Sequence, residues 1–419
     1  MPPEEMSCEY KRIVALSEGN WGMRDWKQTT LLEFTDLELA KDLLNFGLYR
    51  LKGSWKPDRF CVSELELLSP SSEPEAALRE LASAGGPERA LFSEAEAKRI
   101  RLRTKLLRRA RTFLDERGFE EIEVPNMVAE PGCDPNIRLF KTAFEPLAGA
   151  GEAKSLYLQT SPEISLKRML VAGADAIYRA GPVFRNGERS PRHEPEFMMV
   201  EWYRVGATLD DLKEEATALI TALFEEARSF GFEPPRIPVS LASYDLCQLF
   251  QSSTGVDPLK HFDGQKFAQE LSDAGLGPFS QGCSYQEAFY QAVVERLDAQ
   301  FNELGSFYVE NFPAPLAVLS RRSPENPRVA RRVEGYIHGV EFANGFEELR
   351  DPVEQKERFE EDLAIRKSEG WYLPPIPKDF LKSLEAGMPP AAGIAVGLDR
   401  IIQLACEAKA IQGILPLTP

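Results

Sequence analysis

Apolar residues recur at helical spacing in the stretch that follows residue 93. Ser93 and Glu96 have the spacing of a capping box, in which two side chains close a helix N-terminus. The apolar residues after them fall on one helical face, and Gly118 predicts the end of the helix. They are Ile100, Leu106, Leu107, Ala110, Phe113 and Leu114. We therefore predict one long amphipathic helix here.

The opposite face of this predicted helix is basic. It carries Lys98, Arg99, Arg101, Arg103, Lys105, Arg108, Arg109 and Arg111. Two interpretations remain open: a solvated helix face, or a dock for an acidic partner or a second subunit.

Further along, strand-like and helix-like patterns follow one another. Residues 157–162 predict a strand that ends at Ser161-Pro162-Glu163, where a helix begins and runs to about Val171. Two apolar runs between Tyr178 and Tyr203 predict a hairpin. Further strands are predicted at 334–346 and 393–397, and helical segments at 209–230, 240–305, 356–368 and 381–386. This order favours an α+β fold, in which helices flank an antiparallel sheet.

The N-terminal stretch has a different pattern. Residues 48–53 and 60–68 predict two strands around a Lys-Pro-Asp turn, after a helix over 36–45. We expect a small β-rich module at 1–75, possibly a reduced OB-fold barrel, then a linker at 76–92 and a larger domain at 93–419. The module could bind RNA or a partner, or serve as a structural appendage. We favour the appendage because no dense basic and aromatic face is visible.

Composition narrows the function classes. The formal net charge of −16 shows no global basic surface for nucleic acid. The six Cys are scattered without a CxxC pair, which is typical of reduced thiols in a cytosolic protein. The three His argue against a His-rich metal site, and no apolar run is long enough to span a membrane. We expect a cytoplasmic protein with no membrane partner.

Charge is concentrated in the connection between the two hairpin strands. It includes Arg185, Glu188, Arg189, Arg192, His193, Glu194 and Glu196. Because this loop lies between two apolar strands, we expect it to present charge to a ligand. The chain contains neither a Walker A loop nor a GxGxxG motif after a strand. A nucleotide would therefore bind on another scaffold.

Three stretches resemble the catalytic motifs of class II aminoacyl-tRNA synthetases, in the family's order. RGFEEIEVPNM resembles motif 1, FRNGERSPRHEPEF resembles motif 2, and GIAVGLDRII resembles motif 3. The segments TSPEISLKRMLVAG, EFMMVEWY, GVEFANGFEEL and GMPPAAG are similar to the lysyl subgroup. The resemblance covers about residues 95–419 and implies a class II synthetase-like catalytic domain. It does not cover the N-terminal module.

The resemblance implies an ATP site. Arg185 matches the motif 2 arginine that bridges the amino-acid carboxylate and the α-phosphate, and Arg400 matches the motif 3 arginine on the terminal phosphate. Arginine suits both roles because its planar fork binds two oxygens at once. Glu334 and Glu341 match the acidic Mg²⁺ positions. The implied ATP contacts are Arg185, Asn186, Gly187, His193, Glu194, Phe197, Glu341, Phe342, Gly397 and Arg400.

The resemblance also implies a pocket for a cationic amino acid. Glu201 and Tyr203 lie two apart on a predicted strand, so their side chains point the same way. They match positions that hold the side-chain ammonium, and a neutral substrate would leave buried acids unpaired. The implied substrate contacts are Ser161, Glu163, Glu201, Tyr203, Asn344, Glu348 and Ala395.

Within the lysyl group, the chain most resembles the short paralogues that attach (R)-β-lysine to elongation factor P. Ala395 stands where lysyl-tRNA synthetases have Gly, and the first block is short and not basic. Glu194 departs from the Asn of these paralogues. The resemblance implies ATP-dependent formation of an aminoacyl-adenylate, transfer to a lysine of elongation factor P, and a homodimer. The alternatives are a lysyl-tRNA synthetase, which the resemblance disfavours, and an inactive regulatory paralogue.

Overall fold

The computed structural model describes residues 7–17, 20–24, 28–147 and 151–417. The chain forms two compact units, Met1–Thr104 with Gln412–Pro419, and Lys105–Ile411. The border between the two compact units therefore lies between Thr104 and Lys105. The limits at residues 75 and 92 stay a prediction about domain organisation.

The strands and helices are numbered along the chain. The strands are β1 (Ser7–Ser17), β2 (Asn20–Arg24), β3 (Thr29–Phe34), β4 (Leu48–Trp55), β5 (Arg59–Leu67), β6 (Glu120–Glu121), β7 (Met127–Val128), β8 (Lys141–Phe144), β9 (Lys154–Leu158), β10 (Ala176–Phe184), β11 (Glu196–Val205), β12 (Ala242–Asp245), β13 (Ser306–Pro313), β14 (Val329–Ile337), β15 (Val340–Glu347) and β16 (Ala391–Gly397). The helices are α1 (Pro74–Ser83), α2 (Arg89–Phe92), α3 (Glu94–Asp115), α4 (Glu163–Val171), α5 (Leu209–Ser229), α6 (Leu246–Thr254), α7 (Gly264–Asp273), α8 (Tyr285–Arg296), α9 (Asp298–Leu304), α10 (Pro352–Ser368), α11 (Lys378–Ala386) and α12 (Leu398–Ala405).

The first unit contains a closed barrel with strand order β1-β2-β3-β5-β4. Pairing of β1 with β4 closes it, and β3 runs parallel to β5. Ile13, Leu51, Phe60 and Val62 fill its interior. The predicted β-rich module is confirmed. The barrel has five strands, the number in an OB-fold, and not the reduced set that was expected. The difference arises because β1 to β3 were not predicted from the sequence.

The helix predicted over residues 36–45 is wrong in length. Asp36 caps only a short 3-10 turn at Leu37–Ala40, where its carboxylate accepts a hydrogen bond from the Glu38 N–H at 2.9 Å. The chain then turns back onto β1, where the Phe46 N–H donates to the Ile13 carbonyl at 2.7 Å. Because Phe46 takes a positive φ of 58°, the helical conformation cannot continue through it.

The long amphipathic helix is confirmed as α3. Ser93 Oγ accepts a hydrogen bond from the Glu96 N–H at 3.2 Å, and Gly118 takes a φ of +78° just beyond the C-terminal end. Parts of its basic face form ion pairs: Lys105 with Glu226, Arg109 with Glu116, and Arg111 with Glu121. Whether this face is solvated or docks a partner, part of its positive charge is already paired with acids of the same chain.

The second unit is built on an eight-stranded sheet of order β12-β13-β14-β15-β16-β11-β10-β6. Its interior pairs are antiparallel, and only the two edge pairs, β12–β13 and β10–β6, are parallel. Helix α5 packs across β14, β15 and β16. The predicted α+β fold with an antiparallel sheet flanked by helices is confirmed.

The segment 240–305 is mainly helical, as predicted, after the short strand β12 near its start. It forms α6 to α9, whose apolar faces share a core with β13 through Phe250, Phe267, Phe289 and Phe307. None of the helices in the described residues has both the length and the apolar character needed to span a bilayer.

Candidate active site

A cavity of about 640 Å³ opens in the second unit, over the central strands of the sheet. Its size suits a small-molecule ligand. Most of the residues singled out in the sequence line it: Ser161, Glu163, Arg185, His193, Glu194, Phe197, Glu201, Tyr203, Glu334, Glu341, Phe342, Asn344, Ala395, Gly397 and Arg400. Asn186, Gly187 and Glu348 are not part of its lining.

Four of these residues form one row across the sheet. Glu201 on β11 pairs with Ala395 on β16, which pairs with Asn344 on β15, which pairs with Glu334 on β14. Paired residues of neighbouring strands point to the same face of a sheet. Strand register therefore brings together residues that are up to 194 positions apart, from Glu201 to Ala395 (395 − 201).

Glu201 is the most strongly organised acid in the cavity. Its two carboxylate oxygens accept hydrogen bonds from Ser161 Oγ at 2.7 Å and from the Tyr203 hydroxyl at 2.5 Å. Burial, followed by the nearby charge of Glu163, raises the pKa of Glu201 to about 7. A buried carboxylate with both oxygens oriented is suited to hold an ammonium group.

Lys167 joins two further acids beside Glu201. Its Nζ lies 2.5 Å from a Glu163 oxygen, one turn earlier on α4, and 2.5 Å from a Glu348 oxygen. Burial, partly offset by Lys167, raises the pKa of Glu348 to about 8. Glu348 thus lies behind the cavity wall and contacts Lys167, although the sequence pattern assigned it to the substrate.

Arg185 follows β10 directly and points into the cavity. Its backbone N–H donates to the Pro195 carbonyl at 2.8 Å, and its guanidinium carbon lies 5.2 Å from the centre of the Phe197 ring. Among the described residues, no group accepts a hydrogen bond from its buried Nε. A guanidinium whose buried Nε lacks an acceptor is a ready site for an anion.

Arg400 lies on α12 and contacts two other predicted residues. It donates to the Glu341 carbonyl at 2.9 Å and faces His193 Nε2 at 2.7 Å. Burial, followed by the Arg400 charge, lowers the pKa of His193. A neutral His193 would accept from Arg400 through Nε2 and donate through Nδ1 to Ser190 Oγ, 2.8 Å away. His193 therefore orients the arginine.

The two predicted Mg²⁺ residues differ in their surroundings. Glu334 is buried, and its oxygens accept from Arg332 at 2.5 Å and from the Tyr336 hydroxyl at 2.6 Å. Glu341 is partly exposed, with one oxygen 3.5 Å from Arg400. Burial raises the pKa of Glu334, and the Glu341 charge adds to the increase. A cation bound by both acids would relieve this repulsion. The pair therefore fits Mg²⁺, with the Glu334 oxygens shared between the ion and their donors Arg332 and Tyr336.

The described residues give no support for a metal ion that is held by protein side chains alone. No cluster of three or more acidic, His or Cys ligands occurs within the described residues. Two carboxylates match a Mg²⁺ ion that is held mostly by phosphate and water oxygens.

The predicted nucleotide contacts are unevenly placed. Phe197 is half-buried on the cavity wall, whereas Phe342 is only 2% exposed and packs edge-on against Tyr308 at 5.8 Å. Asn186 donates its N–H to the Arg138 carbonyl at 2.9 Å, outside the cavity lining. The Glu194 carboxylate is buried and lies 3.5 Å from Arg189, so an arginine offsets its charge near the nucleotide site.

Sequence reasoning missed several residues of the site. Arg332 lines the cavity and donates to Asn344 Oδ1 at 3.2 Å as well as to Glu334. Asp362 on α10 also lines it, and burial, followed by Asp134, raises its pKa to about 8. The i,i+4 spacing of Glu163 and Lys167 was a usable signal. Asp362 carried none, since only folding brings α10 to this cavity.

Comparison with known proteins defines the class to which this site belongs. A family model described as tRNA synthetases class II (D, K and N) matches residues 89–418. The chain therefore belongs to the class II tRNA synthetase family. The match begins after the last barrel strand, so the family similarity lies in the part that contains the cavity.

More specific similarity comes from individual relatives. An elongation factor P–(R)-β-lysine ligase of Vibrio cholerae is 35% identical over 316 residues, which cover 74% of this chain and 92% of the relative. The ligase of the same name from Mannheimia succiniciproducens is 36% identical over 325 residues, 77% of this chain and 95% of the relative. That of Haemophilus ducreyi is 36% identical over 318 residues, with 75% and 91% covered.

Proposed function

We propose that this protein is an ATP-dependent ligase that activates a lysine-like amino acid, (R)-β-lysine in particular, and transfers it to a lysine side chain of elongation factor P. The observation that carries the proposal is the pairing, in one cavity, of the oriented Glu201 carboxylate with the Arg185 and Arg400 guanidiniums. Membership of the class II family and the names of the relatives support it.

In the first step, an oxygen of the amino-acid carboxylate attacks the α-phosphorus of ATP. The bond from that phosphorus to the bridging oxygen breaks, and pyrophosphate leaves with the electron pair. Arg185, with its unpartnered Nε, is placed to hold the carboxylate and the α-phosphate together. Arg400, steadied by His193 and Glu341, would bind the terminal phosphate. Catalysis is then alignment and charge stabilisation, without a protein nucleophile.

In the second step, the ε-amine of the acceptor lysine attacks the carbonyl carbon of the adenylate. An amide bond forms, and AMP leaves with the electrons of the broken carbon–oxygen bond. The amine must lose a proton to react, and we favour the adenylate phosphate as its acceptor because negative charge grows there as AMP departs.

Glu341 and Glu334 would hold the Mg²⁺ that accompanies ATP, and the ion would neutralise phosphate charge. Phe197 is available for stacking on adenine, since it is half-buried at the cavity wall. We further propose that the protein is a cytoplasmic homodimer, which sedimentation of the purified protein at several concentrations would test.

A second candidate is tRNA charging with lysine, because OB-fold barrels bind oligonucleotides. Against it, basic side chains on the barrel surface pair with acids. Arg50 pairs with Glu66, Lys52 with Glu64 at 2.7 Å, and Lys56 with Glu33 at 2.9 Å. Paired cations attract phosphate less than free ones, so we favour the protein acceptor.

The deciding experiment measures ATP–pyrophosphate exchange with L-α-lysine and (R)-β-lysine, followed by transfer of each labelled amino acid to elongation factor P or to tRNA. We expect exchange with both, better with β-lysine, and label on elongation factor P. Strong tRNA charging without labelled elongation factor P would favour the synthetase. Absence of exchange with every cationic amino acid would favour an inactive regulatory paralogue.

A further inference from the structure

A fully buried lysine lies directly behind the amino-acid end of the cavity. Lys167 has no exposed surface and is not part of the cavity lining. Its Nζ lies 2.5 Å from both Glu163, which lines the cavity, and Glu348, which does not. Among the described residues, Lys167 is the one cation that reaches the Glu348 carboxylate. The lysine therefore connects the cavity wall to the acid behind it.

The charges at this end of the cavity can be counted. The groups that face Lys167 are Glu163 on its own helix, Glu348 after β15, and Glu201 with Tyr203 on β11; Arg179 of β10 pairs in register with Glu201. Burial opposes the charge on Lys167, but Glu163 and Glu348 outweigh this, and the pKa of Lys167 is raised. When fully ionised, three glutamates and one ammonium leave two negative charges; the charge of Arg179 is counted with Glu123, the acid that acts on it most strongly.

The match with a diamino acid follows from this count. Lysine and β-lysine each carry two ammonium groups, and their carboxylate is assigned to Arg185. Two ammonium groups balance the two remaining negative charges. Without Lys167, the Glu163 and Glu348 carboxylates would lose the cation that holds them in place.

We infer that Lys167 is a positioning residue for substrate selection, whose ammonium holds the Glu163 and Glu348 carboxylates in place and thereby sets the pocket to accept two cationic groups. The inference rests on the proposed function. A purely structural role explains the site less well, because a buried ion pair is often no more stabilising than apolar packing of similar volume.

The test compares lysine with norleucine, which has the same chain length and no side-chain ammonium. In Lys167→Met, we expect the KM for lysine in pyrophosphate exchange to rise about tenfold, equivalent to ~1.4 kcal/mol. The inhibition constant of norleucine and kcat should stay unchanged.

Two further variants keep the test decisive. Arg168→Met is the matched control, since Arg168 is the next residue on α4 but its side chain is 49% exposed and 3.9 Å from Asp379. It should leave both ligands unaffected. Should Lys167→Met fail to fold, Lys167→Gln takes its place, since it also removes the ammonium but keeps a hydrogen-bond donor. Its lysine KM should likewise rise, with the inhibition constant of norleucine unchanged.

The two possible failures can be told apart. A folded Lys167→Met protein that keeps the unmodified preference for lysine over norleucine overturns the inference and leaves the proposed function intact. So does a folded Lys167→Gln protein that keeps this preference. An unmodified protein that shows no exchange with any cationic amino acid overturns the proposed function, and the inference with it.

Discussion

Charge is handled in opposite ways in the barrel and in the eight-stranded sheet. On the barrel, opposite charges face each other across neighbouring strands, as Arg50 does Glu66 and Lys52 does Glu64, with side chains 41–59% exposed. On the sheet, Glu201, Glu334 and Glu348 are at most 7% exposed. Exposed pairs are screened by water, whereas buried charges depend on every neighbour. The contrast indicates that the sheet is where charge serves chemistry.

The largest effect should come from Arg185, the cavity arginine whose buried Nε lacks an acceptor. Arg185→Ala should lower kcat for pyrophosphate exchange by about 10²–10³-fold, because removing a preorganised charge donor at a reacting group typically costs that much. Arg50→Ala on the barrel is the matched arginine control and should leave exchange unchanged. Loss of less than about fivefold in Arg185→Ala would show that the sheet charges resemble the barrel charges after all.

The next effect concerns substrate selection. Glu201→Gln removes the buried charge but keeps the shape of the side chain. The kcat/KM for lysine should fall about thirtyfold or more, equal to ~2 kcal/mol, since a buried charge partner is lost. Inhibition by norleucine should not weaken. If both ligands weakened equally, Glu201 would act on pocket shape rather than on charge.

The pH dependence of kcat/KM for lysine should follow from the ionisation of Glu201. Because burial raises the pKa of Glu201 to about 7, the carboxyl is protonated below that pH and holds an ammonium poorly. The kcat/KM for lysine should therefore rise with pH up to about 7 and level off above it. Glu201→Gln should remove the rise. A flat profile between pH 5.5 and 8 in the unmodified protein would contradict the assignment.

The same shift has a consequence for stability. The folded pKa of Glu201 lies above the ordinary value of 4.5, so its ionisation opposes folding. The ligand-free protein should lose stability as pH rises from 4.5 through about 7, and bound lysine should reverse part of that loss. Thermal unfolding across this pH range, with and without lysine, measures both the loss of stability and its reversal by the ligand.

The smallest effect should be on the barrel. Replacing Arg50 and Glu66 together by Gln removes an exposed ion pair whose side chains are 43% and 52% exposed. The free energy of unfolding should change by no more than ~1 kcal/mol. Pyrophosphate exchange should be unaffected. A loss of several kcal/mol, measured by urea unfolding, would show that barrel charges are structurally coupled in a way their exposure does not suggest.

Local pattern was enough to predict much of the second unit. Helices α3, α4 and α5 and strands β10, β11 and β16 lie close to where periodicity and turn residues placed them. The first three barrel strands were missed, although Thr29–Phe34 is apolar enough to be a strand. A helix is predicted between β3 and β4, but only the 3-10 turn at Leu37–Ala40 forms before the chain returns to β1.

Prediction of the site was uneven for a related reason. Motif residues such as Arg185, Glu201 and Arg400 could be picked out because each lies in a recognisable stretch, and all three line the cavity. Arg332 and Asp362 also line it, yet neither was assigned a role, although Arg332 lies only two residues before Glu334. The placement of Glu348 behind Lys167 was not foreseen either, because a sequence pattern does not show which side of a pocket wall a side chain occupies.

The sequence by itself therefore determined the fold class, the family, the cationic character of the expected substrate and the residue types of the site. It did so because periodicity, turn chemistry and short motifs are local properties of the chain. The tertiary structure alone decided which charges are buried, which acids share one sheet row, and that Lys167 contacts both Glu163 and Glu348. These depend on strand register and burial, which join Glu201, Ala395, Asn344 and Glu334 across the fold.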